Sequence, residues 1–577
     1  MVGKIRTLMQ LLAGKILLSI KRFPEAAGMA AATVTLLIVI NHWRAPKETV
    51  ELLTRMAMTL ALGFPITLAL KVLTEQETRW SRKLPILLLP LALAILFAYF
   101  TCLLKELNTI TISRYIAYSL ICYLAFLFIP YLSNRKHFEL YVLNLFIKFC
   151  AIYLYAATLF LGLAAILLTI KLLFAVQLSE KLYLDLWLLC AGLFAPVCFL
   201  GEIPEHSQTF EPEHYPYVLK VLFVHILIPL LSVYTIILYA YFGKILVTQT
   251  WPKGLVAHLV LWYALCGTLL IFILYPLRTR NGIAERFSKL FPWLILPLLA
   301  MMFVTMGKRI EAFGVTENRY YVLAAGVWVT GCMLYYCFSK RPRNLLLPVT
   351  LALIAFLTVT GPWSSFSVSR YSQNRRLVTL LTKYELWVDG AIAPQSHLST
   401  EAKQEISSII AYFRDHHSLK EISLLPDDFT IDDMEKVFGF AFTPQRRTGP
   451  DGREYFHYQL ADKERLFPLE GYELFVDLTG IYSEKTISQR GLTITYSGQE
   501  KILVIIEDNK EIYRKNLADL LKEERTAFES AGKWLFMDQN EKLKLRYLVK
   551  QVHGWEDPLT GELEIDWVGF YLFIKKR

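Results

Sequence analysis

Charged side chains of both signs crowd one short stretch of this 577-residue chain, Gly307-Lys308-Arg309-Ile310-Glu311-Ala312-Phe313-Gly314-Val315-Thr316-Glu317-Asn318-Arg319-Tyr320-Tyr321. Arg309, Glu311, Glu317 and Arg319 alternate in sign around a glycine-containing turn, and Arg370 follows further along the chain. Such a set suits one of two tasks: holding a substrate, or tying two spans to the C-terminal tail through salt bridges. A second set consists of ionisable residues inside otherwise apolar runs, namely Asp185, His225 and His258, with Arg55 and Lys148. Charge in hydrocarbon is costly, so each is a functional candidate. Arg55, Lys148 and Asp185 lie within a turn or so of the ends of their runs, where a side chain reaches the interface and serves structure instead. Asp185 is also the only aspartate in the first 370 residues. His225 and His258 occupy neighbouring runs but near opposite faces, which disfavours a shared polar site.

Other chemistry is harder to build from these residues. Glu205-His206 and Glu213-His214 lie in an acidic, proline-rich loop from Gly201 to Tyr217, but their spacing matches no standard zinc site, and the loop reads as solvated. Asp427-Asp428-Phe429-Thr430-Ile431-Asp432-Asp433 resembles a cation-binding run, yet Thr430, Asp432 and Asp433 stand where a helix N-terminus favours them. The eight cysteines all fall in or beside apolar runs, none after Cys337, and no C-x-x-C pair exists. They read as small apolar packing residues. Phosphate-binding glycine loops, nucleophile elbows, zinc-protease motifs and dinucleotide fingerprints are absent. The sequence therefore assigns no catalytic, cofactor-binding or metal-ligating residue, and no cofactor is expected.

Roughly eleven apolar stretches must position the charged residues, at 25–42, 52–73, 84–104, 113–132, 146–170, 182–200, 217–241, 255–276, 290–306, 320–338 and 345–361. Each is long enough to cross a bilayer, and hydrocarbon forces such runs into helices because no water satisfies their N–H and C=O groups. Hydrophobic residues make up 55% of the chain, and the mean hydropathy is +0.39. The net charge of +11 divides unevenly: residues 1–370 hold 33 Lys+Arg against 16 Asp+Glu, the rest 28 against 34. A basic balance confined to the apolar part is what cytoplasmic loops and headgroups select, so nucleic acid is not an expected partner. Lys and Arg in alternate loops number 17 on one side and 11 on the other. The richer side is cytoplasmic by the positive-inside rule, and an odd span count then puts the C-terminal part outside. Met1–Arg22 reads as a cationic amphipathic helix on the membrane surface rather than a cleavable signal. Pro65, Pro196, Pro229 and Pro297 interrupt apolar runs.

Beyond 361 the pattern changes to that of a soluble α+β domain. Helices are expected around Arg375–Leu381, from a Ser399 cap through Phe413, over Thr430–Phe438 closed by Gly439, and over Asn516–Ser530. Strands are expected at Glu454–Leu460, Tyr472–Ile481, Gly491–Ser497, Lys501–Glu507, Lys542–Val552 and Leu563–Ile574, with a hairpin turn at Ser497–Glu500. The reading thus divides the chain into a surface segment 1–22, a transmembrane domain 23–361, a connector 362–398 and a soluble domain 399–577.

The charged stretch, together with Tyr215-Pro216-Tyr217, Ile228-Pro229-Leu230 through Tyr239-Ala240-Tyr241, Lys244-Ile245, and Gly361-Pro362-Trp363-Ser364 to Ser369-Arg370, resembles the bacterial multi-pass membrane family catalogued as domain of unknown function 4153. That resemblance implies a bacterial inner-membrane location and supplies no catalytic residues. The leading functional expectation is a membrane protein that binds, senses or scaffolds an envelope component through its outer C-terminal domain, with the lipid bilayer and an envelope component or membrane protein as partners. Two alternatives stand beside it: a transporter, motivated by the proline-interrupted spans, and a membrane-embedded transferase acting on lipid-linked substrates through Arg309, Glu311, Glu317 and Arg319.

Overall fold

In the computed structural model the chain is described over residues 14–577, apart from 15, 44, 77–82, 133–135, 175, 177, 206–209, 212–214, 249–254, 389, 396, 444–446, 449–452, 461–468, 470, 490, 524–534 and 558–561. Most of the expected surface helix 1–22, and the two histidines of the acidic loop, lie outside the described residues. The chain forms two compact units, Met1–Ala402 with Ile409–Ala441, and Lys403–Ser408 with Phe442–Arg577.

The first unit is a polytopic helical membrane region. Nine helices among the described residues are long and apolar enough to span a bilayer: α1 Pro24–His42, α2 Lys47–Glu75, α4 Thr109–Tyr131, α5 Phe138–Leu173, α6 Lys181–Glu202, α7 Tyr217–Thr248, α8 Val256–Leu277, α9 Gly282–Phe313 and α10 Glu317–Phe338. Two shorter apolar helices, α3 Leu87–Leu103 and α11 Leu346–Val359, occupy the other predicted spans. Several helices outrun their apolar cores; α5 begins at Phe138 and α9 at Gly282, well before hydropathy alone marks them. Asn281 starts α9 by accepting hydrogen bonds from the amides of Ile283 and Ala284, each at 3.0 Å.

A continuous core runs through this unit from Phe23, Ala26 and Leu68 to Phe291, Leu299, Met302 and Val329. Small residues such as Ala26, Ala27 and Ala30 are buried along α1, which lets helix backbones approach closely in lipid. The four prolines of the predicted interruptions all lie in unbroken helix. Pro196 and Pro229 each stand two residues after a wider π-helical turn, Leu188–Phe194 and Val221–Leu227, so the lost backbone hydrogen bonds are absorbed by a change of pitch.

Helix α12, Ser365–Lys383, starts at the exit from the last span, earlier than the expected helix around Arg375, with Ser364 at its N-cap. A two-residue hairpin β1–β2 (Trp387–Val388, Ala391–Ile392) follows. Then comes α13, Thr400–His416, capped by Ser399 through the amide of Ala402. The stripe Ala402, Ile406, Ile409, Ile410 and Phe413 is fully buried, as its helical spacing requires. Thr430 and Asp433 form the predicted capping box, and α14, Met434–Phe438, ends at Gly439 in the left-handed conformation.

The second unit is β-rich. One sheet has the order β3-β4-β11-β12-β5, with β10 also paired to β11; the other is a meander β6-β7-β8-β9. The strands are β3 Arg447–Thr448, β4 Glu454–Gln459, β5 Leu474–Leu478, β6 Glu484–Gln489, β7 Leu492–Ser497, β8 Ile502–Glu507, β9 Lys510–Asn516, β10 Leu535–Gln539, β11 Leu543–Glu556 and β12 Leu563–Lys576. The β7–β8 hairpin turns where predicted, with Ser497 facing Ile502. Helix α15, Leu517–Glu523, is the described part of the helix expected at Asn516–Ser530. Leu478, Tyr496, Leu503, Ile505, Tyr547 and Phe570 from both sheets share one core with Leu517 and Leu521.

Every buried residue of that core lies between Val476 and Ile574. Residues 442–577 therefore carry their own hydrophobic driving force. Expressed without the spans, this fragment is expected to be soluble and to unfold in a single cooperative transition with a β-type circular-dichroism spectrum. A soluble fragment lacking any such transition would show that the strands need the rest of the chain.

Candidate functional site

The charged stretch forms the turn between α9 and α10. Gly314 sits at φ 68°, a left-handed conformation in which glycine is unstrained. A Cβ there would also stand 2.8 Å from Nε2 of Gln373. Arg319 folds back and donates to the carbonyls of Phe313 at 3.1 Å and Gly314 at 2.6 Å, satisfying acceptors at the end of α9. Helix α12 supplies the rest: the amide of Val315 donates to Ser372 Oγ at 2.8 Å, and buried Gln373 donates to the carbonyls of Phe313 and Val315 at 3.0 and 2.9 Å.

Glu317, the first residue of α10, is the centre of the site. Its carboxylate accepts from Ser369 Oγ at 2.7 Å, from the Tyr412 hydroxyl at 2.7 Å, and from Nε2 of His417 at 2.6 Å. The His417 side chain is only 2% exposed, and its other nitrogen stands 3.3 Å from Glu421 Oε2. Arg370 closes the chain of charges through Glu421 Oε1 at 3.0 Å. Asn374 flanks it, donating to the Glu421 carbonyl at 3.0 Å and accepting from the Ser423 amide at 2.9 Å.

Burial alone would disfavour a charged ring at His417, but the hydrogen bonds and charges of Glu317 and Glu421 outweigh it and hold the imidazolium up to about pH 9. Glu421 is held below the usual carboxylate range, chiefly by its hydrogen bond to His417. Burial, then the adjacent Glu317 carboxylate, pushes the Tyr412 phenol far up. The arrangement is an imidazolium between two carboxylates, backed by one guanidinium. Partly desolvated charge pairs of this kind fix geometry strongly, because removing either partner leaves the other uncompensated.

Of the residues singled out in sequence, Glu317 and Arg370 enter this network and Arg319 buttresses the turn beside it. Arg309 is half-buried and Glu311 exposed, and neither contributes a bond to it. Tyr412, His417, Ser369 and Glu421 escape sequence reading. Nothing local marks them, since Glu317 and His417 stand 100 positions apart.

Asp185 has partners at the C-terminal end of α1. It accepts from Asn41 Nδ2 at 2.9 Å and faces His42 Nε2 at 2.5 Å, while Lys181 Nζ donates to the Asn41 carbonyl at 2.5 Å. His225 is exposed within the π-helical turn of α7, and His258 is half-buried in α8. Among the described residues no hydrogen bond joins the two. A further buried acid, Glu139, accepts from Asn344 Nδ2 at 2.5 Å, and Asn344 accepts from the Tyr336 hydroxyl at 2.9 Å. It escapes the sequence reading because Arg135 and Lys136 beside it mark a loop, whereas the helix already begins at Phe138.

A family model described as Domain of unknown function (DUF4153) matches residues 29–396. The uncharacterized protein PM1469 of Pasteurella multocida (strain Pm70) is 27% identical over 201 residues, which are 34% of this chain and 34% of that protein. The match thus spans about a third of the relative's length. No solved structure matches.

Proposed function

Because the chain belongs to the DUF4153 family, membership brings no activity with it, and we propose a function from the site itself: a membrane scaffold that carries a β-rich binding unit and presents it to a component of a bacterial envelope. The observation that carries this reading is the Glu317–His417–Glu421–Arg370 network. Each of its charged groups is matched by a counter-charge within the protein, as suits a joint holding the chain after the last span firmly against the spans. Exposed apolar side chains in the β-rich unit, Phe475, Tyr482 and Met537, are 48%, 70% and 64% accessible and offer contact surface for a partner. The unbroken spans around Pro65, Pro196, Pro229 and Pro297 give the transporter reading less support than discontinuous helices would.

The proposal includes an inner-membrane location with the N-terminus cytoplasmic and the C-terminal unit outside, supported by the 17-to-11 distribution of Lys and Arg. Protease added to spheroplasts is then expected to remove the C-terminal unit. Protection until the membrane is permeabilised would reverse the topology. For the role itself, a photo-crosslinking residue at position 475 or 482 should trap a discrete envelope component in living cells. A deletion strain should keep its lipid and small-metabolite profiles. Loss of a lipid-linked product would favour a transferase instead, and accumulation of a solute would favour transport.

A further inference from the structure

A chamber of about 600 Å³ lies between α1, α2, α4, α5 and α6, within the membrane region and away from the charged joint. Its wall includes Leu37, Phe64, Phe146, Leu188 and Gly192, and among the described residues carries no charged side chain. Among the described residues Thr33, Tyr123 and Tyr153 bring hydroxyls to it, and the Thr33 hydroxyl is already committed to the carbonyl of Met29 at 2.8 Å. Nothing there would select a sugar, an ion or a peptide; the lining matches hydrocarbon. The volume falls in the range of ligand sites rather than packing defects. Part of its wall belongs to the π-helical turn Leu188–Phe194, a feature concentrated at functional sites. Tyr123, Phe146 and Phe149 line it yet are 46%, 57% and 42% exposed, so it opens sideways between α4 and α5 toward the bilayer.

A polar cluster stands at one end. Asn41 comes four positions after Leu37, and Asp185 three before Leu188, so the contacts of Asn41 and His42 with Asp185 lie about one turn, roughly 6 Å, beyond the chamber wall on both helices. Asn41 and His42 occupy both oxygens of Asp185, and Lys181 spends one of its three donors on the Asn41 carbonyl. Its remaining donors, beside a half-exposed His42 ring, suit an anionic oxygen.

We propose that this chamber and cluster form a phospholipid-binding site, with one acyl chain in the chamber and the phosphate against Lys181 and His42. The chain would slide in through the α4–α5 opening, and the headgroup would stay at the interface. Such a site differs from the lipid shell around any span because its occupancy saturates at one molecule.

The full-length protein, reconstituted into vesicles of phosphatidylethanolamine and phosphatidylglycerol, would be irradiated with trace phosphatidylglycerol bearing a diazirine on one acyl chain. Labelling is expected to saturate at one lipid per chain and to map to residues 30–37 and 188–199. Ala191→Phe, which puts bulk into the chamber, should cut this labelling about tenfold while leaving thermal unfolding and peripheral labelling near parent levels. Should Ala191→Phe fail to fold, the saturation and mapping on the parent protein still decide the matter. Lys181→Ala with His42→Gln should remove any preference for the phosphatidylglycerol probe over a diacylglycerol probe carrying the same chain. Labelling that rises without saturation, or maps only to outward-facing positions such as Leu154 and Leu161, would overturn the site. An equal response to both probes in the parent protein would overturn its phosphate half.

Discussion

Glu317→Ala should loosen the whole segment from Ser365 to Ser423 while leaving the spans folded. The reason lies in what the substitution strands. With the carboxylate gone, His417, 2% exposed, keeps a buried positive charge with only Glu421 at 3.3 Å to offset it. Tyr412 and Ser369 lose the acceptor that both of them use. Breaking a buried pair from one side costs about 3–5 kcal/mol, a large part of what holds any single segment in place. Subtilisin should therefore cut within residues 371–423 at least about tenfold faster than in the parent. Glu317→Gln, which keeps an acceptor but loses the charge, should fall between. Arg319→Ala should do less, because Arg319 caps the carbonyls of Phe313 and Gly314 and reaches no member of the charge network directly. If Glu317→Ala is cut at the parent rate, the network has no holding role and the scaffold reading loses its support.

The sequence makes the membrane region legible because one physical requirement dominates it. A run without water must be helical, so among the described residues nine span-length helices and two shorter apolar ones stand at nearly the predicted positions. What hydropathy misses is where helices continue past the hydrocarbon. The first turn of α5 holds Glu139 for that reason, and its partner Asn344 comes from a distant turn. In the β-rich unit, β7, β8, β11 and β12 announce themselves by alternation or long apolar runs, whereas β6 and β9 do not. Both are edge strands of their sheet, and EKTISQ and KEIYRKN are too polar to reveal a period. Charge on an edge protects it from pairing with another chain, and that same protection hides it from pattern reading. The charged turn was visible as a concentration of residues, but its central partner was not. Glu317 could be singled out because charges of both signs crowd its turn; His417 follows an ordinary amphipathic helix, and only the fold brings it to Glu317.

That hidden histidine gives the joint a pH limit whose sign can be worked out. Unfolded, the ring titrates near about 6.5; folded, it holds its proton to about 9. A group whose folded value is raised contributes stability fully below its unfolded value, and that contribution fades as pH climbs through the folded one. The difference corresponds to roughly 3 kcal/mol between neutral and strongly alkaline conditions. It overlaps with the cost of Glu317→Ala rather than adding to it, since both measure one contact. Glu421, held low by His417, sets the opposite limit: its share is present above the ordinary carboxylate range and is lost as pH falls below it. Burial and hydrogen bonding thus make the joint firmest between the ordinary carboxylate range and about pH 6.5 and weaker toward both extremes. Cleavage within residues 371–423, normalised at each pH to an unfolded peptide substrate, should rise steadily from about pH 6.5, the ordinary imidazole value, and level off above about pH 9, where the folded ring has lost its proton. His417→Gln should be cut faster at neutral pH and show no further rise in alkali, because it has no proton to lose. A parent protein and a His417→Gln variant with parallel alkaline profiles would assign the sensitivity to some other group, and the imidazolium would then have no part in holding the joint.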